Sequence, residues 1–300
     1  MDSRYTVVER EAVTKKIQDF YSSLPFNFHA TKEKAAETIR SENPVGVYQD
    51  LDALLKKADP QAKILDVGCG SGWFVNSVAY HYGLTVVGID LCEKALDRAR
   101  EVSLELGIEN RASFQQLDLF NLRSLETRFF LVNSLGVLHH TFSCHQSLRE
   151  VSLLVQDKGF LHLGLYHQYG REPFLRLFKP YRERMQARPS SKERKEIEEE
   201  AFALYRELNK PSTDETFLFS WFQDQVFHPH ESQHTVEELT HWLEEMGFQC
   251  ISTSINRFQK VNDWRIVFKE EKSMRDISTR RNYVEKVFFP GFFTLLAEKK

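Results

Sequence analysis

The stretch Ile64-Leu65-Asp66-Val67-Gly68-Cys69-Gly70-Ser71-Gly72-Trp73 constrains this chain more than any other. Leu65 and Val67 read as a buried strand that runs straight into glycines. Glycine permits positive φ and lets a ligand touch the backbone. The helix that follows would aim its first N–H groups at that ligand. A dinucleotide-binding loop needs a small residue three places after its second glycine. Gly68 and Gly70 would require one at Trp73, and Gly70 and Gly72 one at Val75; neither is small. Asp66 would also repel a pyrophosphate, whereas it suits a cation such as an amino-acid ammonium. No Gly-Lys-Ser/Thr follows, so a Walker loop is excluded.

Around this loop the pattern alternates. Strands are predicted at 63–67, 85–89, 113–117, 129–134 and 159–166, and helices at 73–82, 93–106 (closed by Gly107) and 144–154. Such alternation predicts an α/β fold, a doubly wound, mostly parallel sheet covered on both faces. Residues 9–22 and 45–57 have helical periodicity, punctuated by Pro25 and Pro44. The rhythm breaks over 170–234, with a charged helix-prone stretch at 181–208 and an aromatic one at 216–227. A segment of that length after a strand's carboxyl end predicts a helical lid. Thr235 and Glu238 form a capping-box pattern opening a helix through Met246. Strands at 249–255 and 291–298 complete the reading. The implied organisation is an N-terminal helical cap (1–60), a core (61–169), a lid (170–234) and a C-terminal completion of the sheet (235–300).

The loop resembles motif I of class I S-adenosylmethionine (SAM)-dependent methyltransferases, acid-x-Gly-x-Gly-x-Gly. Strand 86–90 ends in Asp90, and Gln116-Leu117-Asp118-Leu119 ends the third strand. Asn133-Ser134-Leu135-Gly136-Val137-Leu138-His139-His140 is similar to the post-strand loop of small-molecule methyltransferases of the ubiquinone-biosynthesis type. Phe130 stands where that branch usually has Asp. The resemblance implies a Rossmann-like seven-stranded sheet with an antiparallel last strand beside the fifth. It implies SAM as cofactor and S-adenosylhomocysteine (SAH) as product. Its site would comprise Asp66, Gly68, Gly70, Gly72 and Trp73 at the loop, Asp90 and Leu91 on the ribose and adenine, Asp118 and Leu119 at the adenine, and Ser134, Leu135 and His139 at the methionine end.

Methyl transfer from a sulfonium needs alignment and exclusion of water. A hydroxyl or carbon-acid acceptor also needs a base. His140, beside the expected methyl group, and His167, at the end of the fifth strand, are the candidates. His230-Glu231-Ser232-Gln233-His234 matches the zinc-protease pattern H-E-x-x-H, which works only on a helix. Pro229 before it and the predicted cap at Thr235 argue for a turn, so no zinc-protease site is expected; the alternatives for these residues are a loop facing substrate, a metal that assists catechol-like substrates, or a polar loop in water. His228, His230 and Glu231 are read instead as facing substrate, with Tyr21, Tyr48, Tyr166 and Trp221 as walls of an acceptor pocket.

Net charge −3 with no long one-sign block argues against nucleic-acid binding. No Asn/Asp-Pro-Pro-Tyr loop follows the fourth strand, which argues against methylation of base amines. The expected partner is a small-molecule acceptor whose identity the sequence does not specify. The alternatives are a tRNA- or protein-modifying methyltransferase and a SAM-binding protein of the same fold without methyl transfer. Four scattered cysteines, a charged Met1–Arg10 without a signal-peptide core and no membrane-length apolar run fit a cytoplasmic protein.

Overall fold

The computed structural model describes residues 7–209 and 214–300; the first six residues of the N-terminal segment lie outside them. Seven strands form one sheet: β1 Lys63–Val67, β2 Thr85–Asp90, β3 Ala112–Gln116, β4 Phe129–Leu135, β5 Val155–Tyr166, β6 Phe248–Thr253 and β7 Phe292–Lys299. Their order is β3-β2-β1-β4-β5-β7-β6. β1 to β5 pair in parallel, and β7 runs antiparallel between β5 and β6. The sheet has the architecture the resemblance implied.

Among the described residues twelve α-helices surround it: α1 Val7–Ser23, α2 Lys32–Ser41, α3 Gln49–Leu55, α4 Trp73–Tyr82, α5 Glu93–Leu106, α6 Cys144–Ser152, α7 Gln168–Gln186, α8 Ser191–Leu208, α9 Glu215–Phe227, α10 Val236–Glu245, α11 Trp264–Glu270 and α12 Met274–Thr279. Period-2 alternation in β1 divides the core. Leu65 and Val67 pack on one face with Leu148 and Leu239. Ile64 packs on the other with Phe74, Val78 and Ile39. A third apolar cluster lies within α7–α9, around Phe174, Phe178, Tyr205 and Phe222.

The sequence expectations need four corrections. Helix α2, capped by the Thr31 side chain accepting from Lys34 N–H at 3.2 Å, was not anticipated. The single helix expected over 45–57 is a 3₁₀ turn at Pro44–Val47 followed by α3, because Tyr48 (φ −92°, ψ 84°) leaves helical geometry. Thr235 does cap α10, but Glu238 does not return the bond; its carboxylate accepts from His234 Nδ1 at 2.7 Å. Residues 256–291 carry α11 and α12, and α12 packs on α7, so this second helical excursion braces α7.

Candidate active site

The glycine loop joins β1 to α4 with Gly68, Gly70 and Gly72 all at positive φ. At Gly68 (φ +75°) an added Cβ would lie 2.4 Å from Val137 Cγ2, so glycine is required both by φ and by the post-β4 loop pressed against it. At Gly70 (φ +51°) the nearest atom would be Phe26 O at 3.8 Å, so the space above it belongs to a cavity. Gly68→Ala is expected to cost about 1–3 kcal/mol through left-handed strain and overlap. A melting curve should show it, and adding Val137→Ala should recover part of the loss.

An open cavity lies over this loop. Gly68, Gly70, Trp73, Asp90, Leu91, Asp118, Leu119, Leu135 and His140 line it, and so does Tyr21. Asp90 is the anchor. Its two carboxylate oxygens accept from Gly70 N–H and Cys92 N–H, each at 2.8 Å, which ties the β2 end to the loop. Asp118 faces the cavity and also caps the turn that follows it, accepting from Phe120 N–H at 2.9 Å. Gly72, Ser134 and His139 do not line the cavity. Gly72 is needed for packing, since a Cβ there would meet Ala99 Cβ at 2.6 Å. Ser134 Oγ donates to Val67 O at 3.1 Å.

Asp66 is placed beneath the loop, away from the cavity wall. It accepts from Asn133 Nδ2 at 2.7 Å, and Asn133 Oδ1 accepts from His162 Nδ1 at 2.7 Å. Burial pushes the Asp66 carboxyl up to about 7, against which the Asn133 hydrogen bond acts only in part. An acid raised on folding adds stability below its unfolded value near 4 and loses it as pH rises to about 7. The ligand-free chain should therefore lose stability across that window by up to about 1.4 kcal/mol per pH unit more than Asp66→Asn. Parallel slopes in denaturant titrations at pH 4.5, 5.5 and 6.5 would contradict this.

A second open cavity adjoins the first. The two share Phe26, Asn27, Ser71, Trp73, Leu135 and Gly136. Tyr48, Tyr166 and Trp221 line the second, together with Phe217, Phe292 and Asp224; His228 lines neither cavity. The N-terminal segment is tied across this region. Ser71 Oγ donates to Asn27 O at 2.8 Å, and Trp221 Nε1 donates to Asn27 Oδ1 at 3.1 Å.

His140 reaches the cavity; His167 does not. His167 is fully buried between α7 and the second helical excursion. Its Nδ1 caps α7 by accepting from Gly170 N–H at 3.2 Å, and its Nε2 meets Glu271 Oε2 at 2.9 Å. It ties the start of α7 to the second helical excursion and lines neither cavity. His230 and Glu231 are likewise turned away from both cavities. His230 Nε2 meets Thr141 O at 3.0 Å, and Glu231 makes a two-pronged pair with Arg171 at 2.7 and 3.1 Å. Residues 230–234 are not helical, so the H-E-x-x-H pattern has no common face.

Asp224 is the functional candidate that sequence reading missed. Tyr21 Oη donates to its Oδ1 at 2.5 Å and Tyr166 Oη to its Oδ2 at 3.3 Å, with His140 Nε2 4.0 Å away. Its signal was available: an acid in the middle of the apolar aromatic run of α9. Atoms of His140, Asp224 and His228 lie within 4.8 Å of one another. His228 is not poised as a metal ligand, because its Nδ1 lone pair accepts from His230 N–H at 3.1 Å, which leaves the proton on Nε2. Burial lowers the pKa of His139, His140 and His228, so all three rings are neutral near pH 7.

A family model described as a methyltransferase domain matches residues 58–247. An uncharacterized protein of Synechococcus sp. is 24% identical over 299 residues, covering 85% of this chain and 67% of its own. The 27-O-demethylrifamycin SV methyltransferase of Amycolatopsis mediterranei is 28% identical over 102 residues, covering 34% of this chain and 38% of its own. The chain thus spans about two thirds of the first relative and well under half of the second. The solved structure of PKMT2 from Rickettsia typhi in complex with AdoHcy shares the fold, with a TM-score of 0.56 at 12% identity, over 85% of this chain and 53% of that one.

Proposed function

The chain belongs to the methyltransferase-domain family, and from that premise we propose that it moves the methyl group of SAM onto a small or medium-sized organic acceptor. The observation that carries this reading is the pair of adjoining cavities. One lies over the glycine loop and Asp90, the other is walled by aromatic side chains, and both reach Leu135 and Gly136. A cofactor in the first would present its methyl group toward an acceptor in the second. Bound SAM supplies an already activated methyl group. The chain's own residues hold it and exclude water. Asp90 takes the ribose hydroxyls with the lone pairs its two backbone bonds leave free. Leu91, Asp118 and Leu119 enclose the adenine, and Gly68, Gly70, Trp73 and Leu135 the remainder. Asp66, buried behind the loop and bonded to Asn133, fixes the end of β1 from which the loop springs.

The acceptor's body lies against Tyr48, Tyr166 and Trp221, with Tyr21 where the two cavities meet. The similarity to a rifamycin-modifying enzyme supports a small-molecule acceptor. No helix among the described residues is long and apolar enough to cross a membrane. The four buried, unpaired cysteines support a cytoplasmic setting. The test is to incubate the full chain with methyl-labelled SAM and a fractionated metabolite extract. Label should appear in a small organic product; label confined to tRNA or protein would refute the reading.

A further inference from the structure

The two adjoining cavities carry charge of one sign. Asp90 and Asp118 line the cofactor side and Asp224 the acceptor side, and no lysine or arginine is among the described residues that line either. His29 also lines the acceptor side, but burial lowers its pKa and leaves it neutral near pH 7. Asp224 is 6% exposed. The hydroxyls of Tyr21 and Tyr166 donate to it, which solvates its charge without cancelling it. His140, 4.0 Å away, is neutral, and the buried guanidinium of Arg171 is committed to Glu231. A buried charge without a full counter-charge is costly, and burial accordingly raises the Asp224 carboxyl above its usual range. That cost falls when a cation enters. The walls would also favour one. Phe217, Trp221 and Asp224 stand four and three positions apart on α9, so they share a face, and that face lines the cavity. Phe26 packs on Trp221 with ring centres 5.3 Å apart, and Tyr48 and Trp73 line the same space. Aromatic faces attract organic cations.

We infer that the acceptor atom is the nitrogen of an amine, which enters as its ammonium, pairs with Asp224 and gives it a proton. This deepens the methyl-transfer reading above and rests on it. Asp224 stands where the cavities meet, since its partner Tyr21 and its neighbour His140 both line the cofactor side. An ammonium nitrogen has no lone pair, so it must lose a proton before it attacks. His140 cannot take that proton: its Nδ1–H donates to His230 O at 2.8 Å, and its Nε2 accepts from His139 Nε2–H at 3.1 Å. Asp224 has lone pairs left after its two tyrosines. The step balances. The proton passes to Asp224 and the N–H electron pair stays on nitrogen. The N–C bond forms as the S–C bond of SAM breaks, and that pair stays on sulfur. A neutral amine and a sulfonium become a methylated ammonium and a thioether. Asp224 then returns its proton to solvent through the open cavity and pairs with the product. An anionic acceptor would be repelled by Asp224, and a neutral alcohol would leave its charge uncompensated.

The test uses the full chain near neutral pH. SAH is titrated first, so that failure of the cofactor reading shows separately. 2-Naphthylmethylamine, a cation at that pH, is then titrated against 2-naphthylmethanol, its neutral counterpart, with and without SAH. The amine should bind at least about tenfold tighter. Asp224→Asn should abolish that preference and leave SAH affinity unchanged. Equal binding of the two probes by the parent chain, tighter binding of the alcohol, or a preference that survives Asp224→Asn overturns the inference. In parallel, the labelled product from the metabolite extract should be an N-methylated amine, formed at least about 100-fold more slowly by Asp224→Asn. A labelled ether, ester or carbon-methylated product overturns it.

Discussion

Asp90→Ala should leave a folded chain that no longer holds SAM or SAH at micromolar concentration. The carboxylate has two tasks. Its bonds to Gly70 and Cys92 N–H fix the loop against the end of β2, and its remaining lone pairs are the acceptors offered to the ribose. Each hydrogen bond to a charged group is worth about 1.5–3 kcal/mol, so losing a two-hydroxyl clasp should weaken binding by at least about 100-fold. Asp90→Asn keeps one acceptor oxygen and should fall between. Quenching of Trp73, which lines the same cavity, gives a direct readout. Undiminished affinity in Asp90→Ala would mean that the adenosine lies elsewhere.

Arg171→Met should produce the largest loss of stability. Arg171 is fully buried, yet it carries a permanent charge. Its guanidinium donates to both oxygens of Glu231, to Gln225 O at 2.7 Å and to Pro290 O at 3.3 Å, and lies 3.6 Å from the centre of the Tyr166 ring. It thus joins α7 to the end of α9, the loop after it and the lead into β7. Burial raises the Glu231 carboxyl, but Arg171 outweighs this and holds it below its usual value. Removing the arginine strands a buried carboxylate, a change worth about 3–5 kcal/mol, or on the order of 10 °C in melting temperature. Adding Glu231→Gln should recover part of the loss. A variant that melts like the parent would contradict this role.

The sheet and the cofactor cavity were legible because short-range rules decide them. The run into Gly68 sets a strand, a turn and a helix. β2 and β3 each set an acid or its neighbour at a carboxyl edge, so Asp90, Leu91, Asp118 and Leu119 all face one cavity. The acceptor side was less legible because it depends on pairings across long separations. Asp224 meets Tyr21 across 203 positions and Tyr166 across 58. His167 looked like a base from its place at the end of β5. Only the fold shows Glu271, 104 residues on, occupying it. Glu231 was read as facing substrate, yet it is the counter-ion of Arg171, a residue that stands out only once its burial is known. Helices α11 and α12 were missed because residues 256–291 lack a clear apolar period.

The central claim, that the cavity over the glycine loop takes SAM, is tested most directly by calorimetric titration of SAH into the full chain at neutral pH. The account predicts one saturable site per chain, lost in Asp90→Ala and retained in Asp224→Ala. No binding to the parent chain, or binding that Asp90→Ala leaves intact, would contradict it.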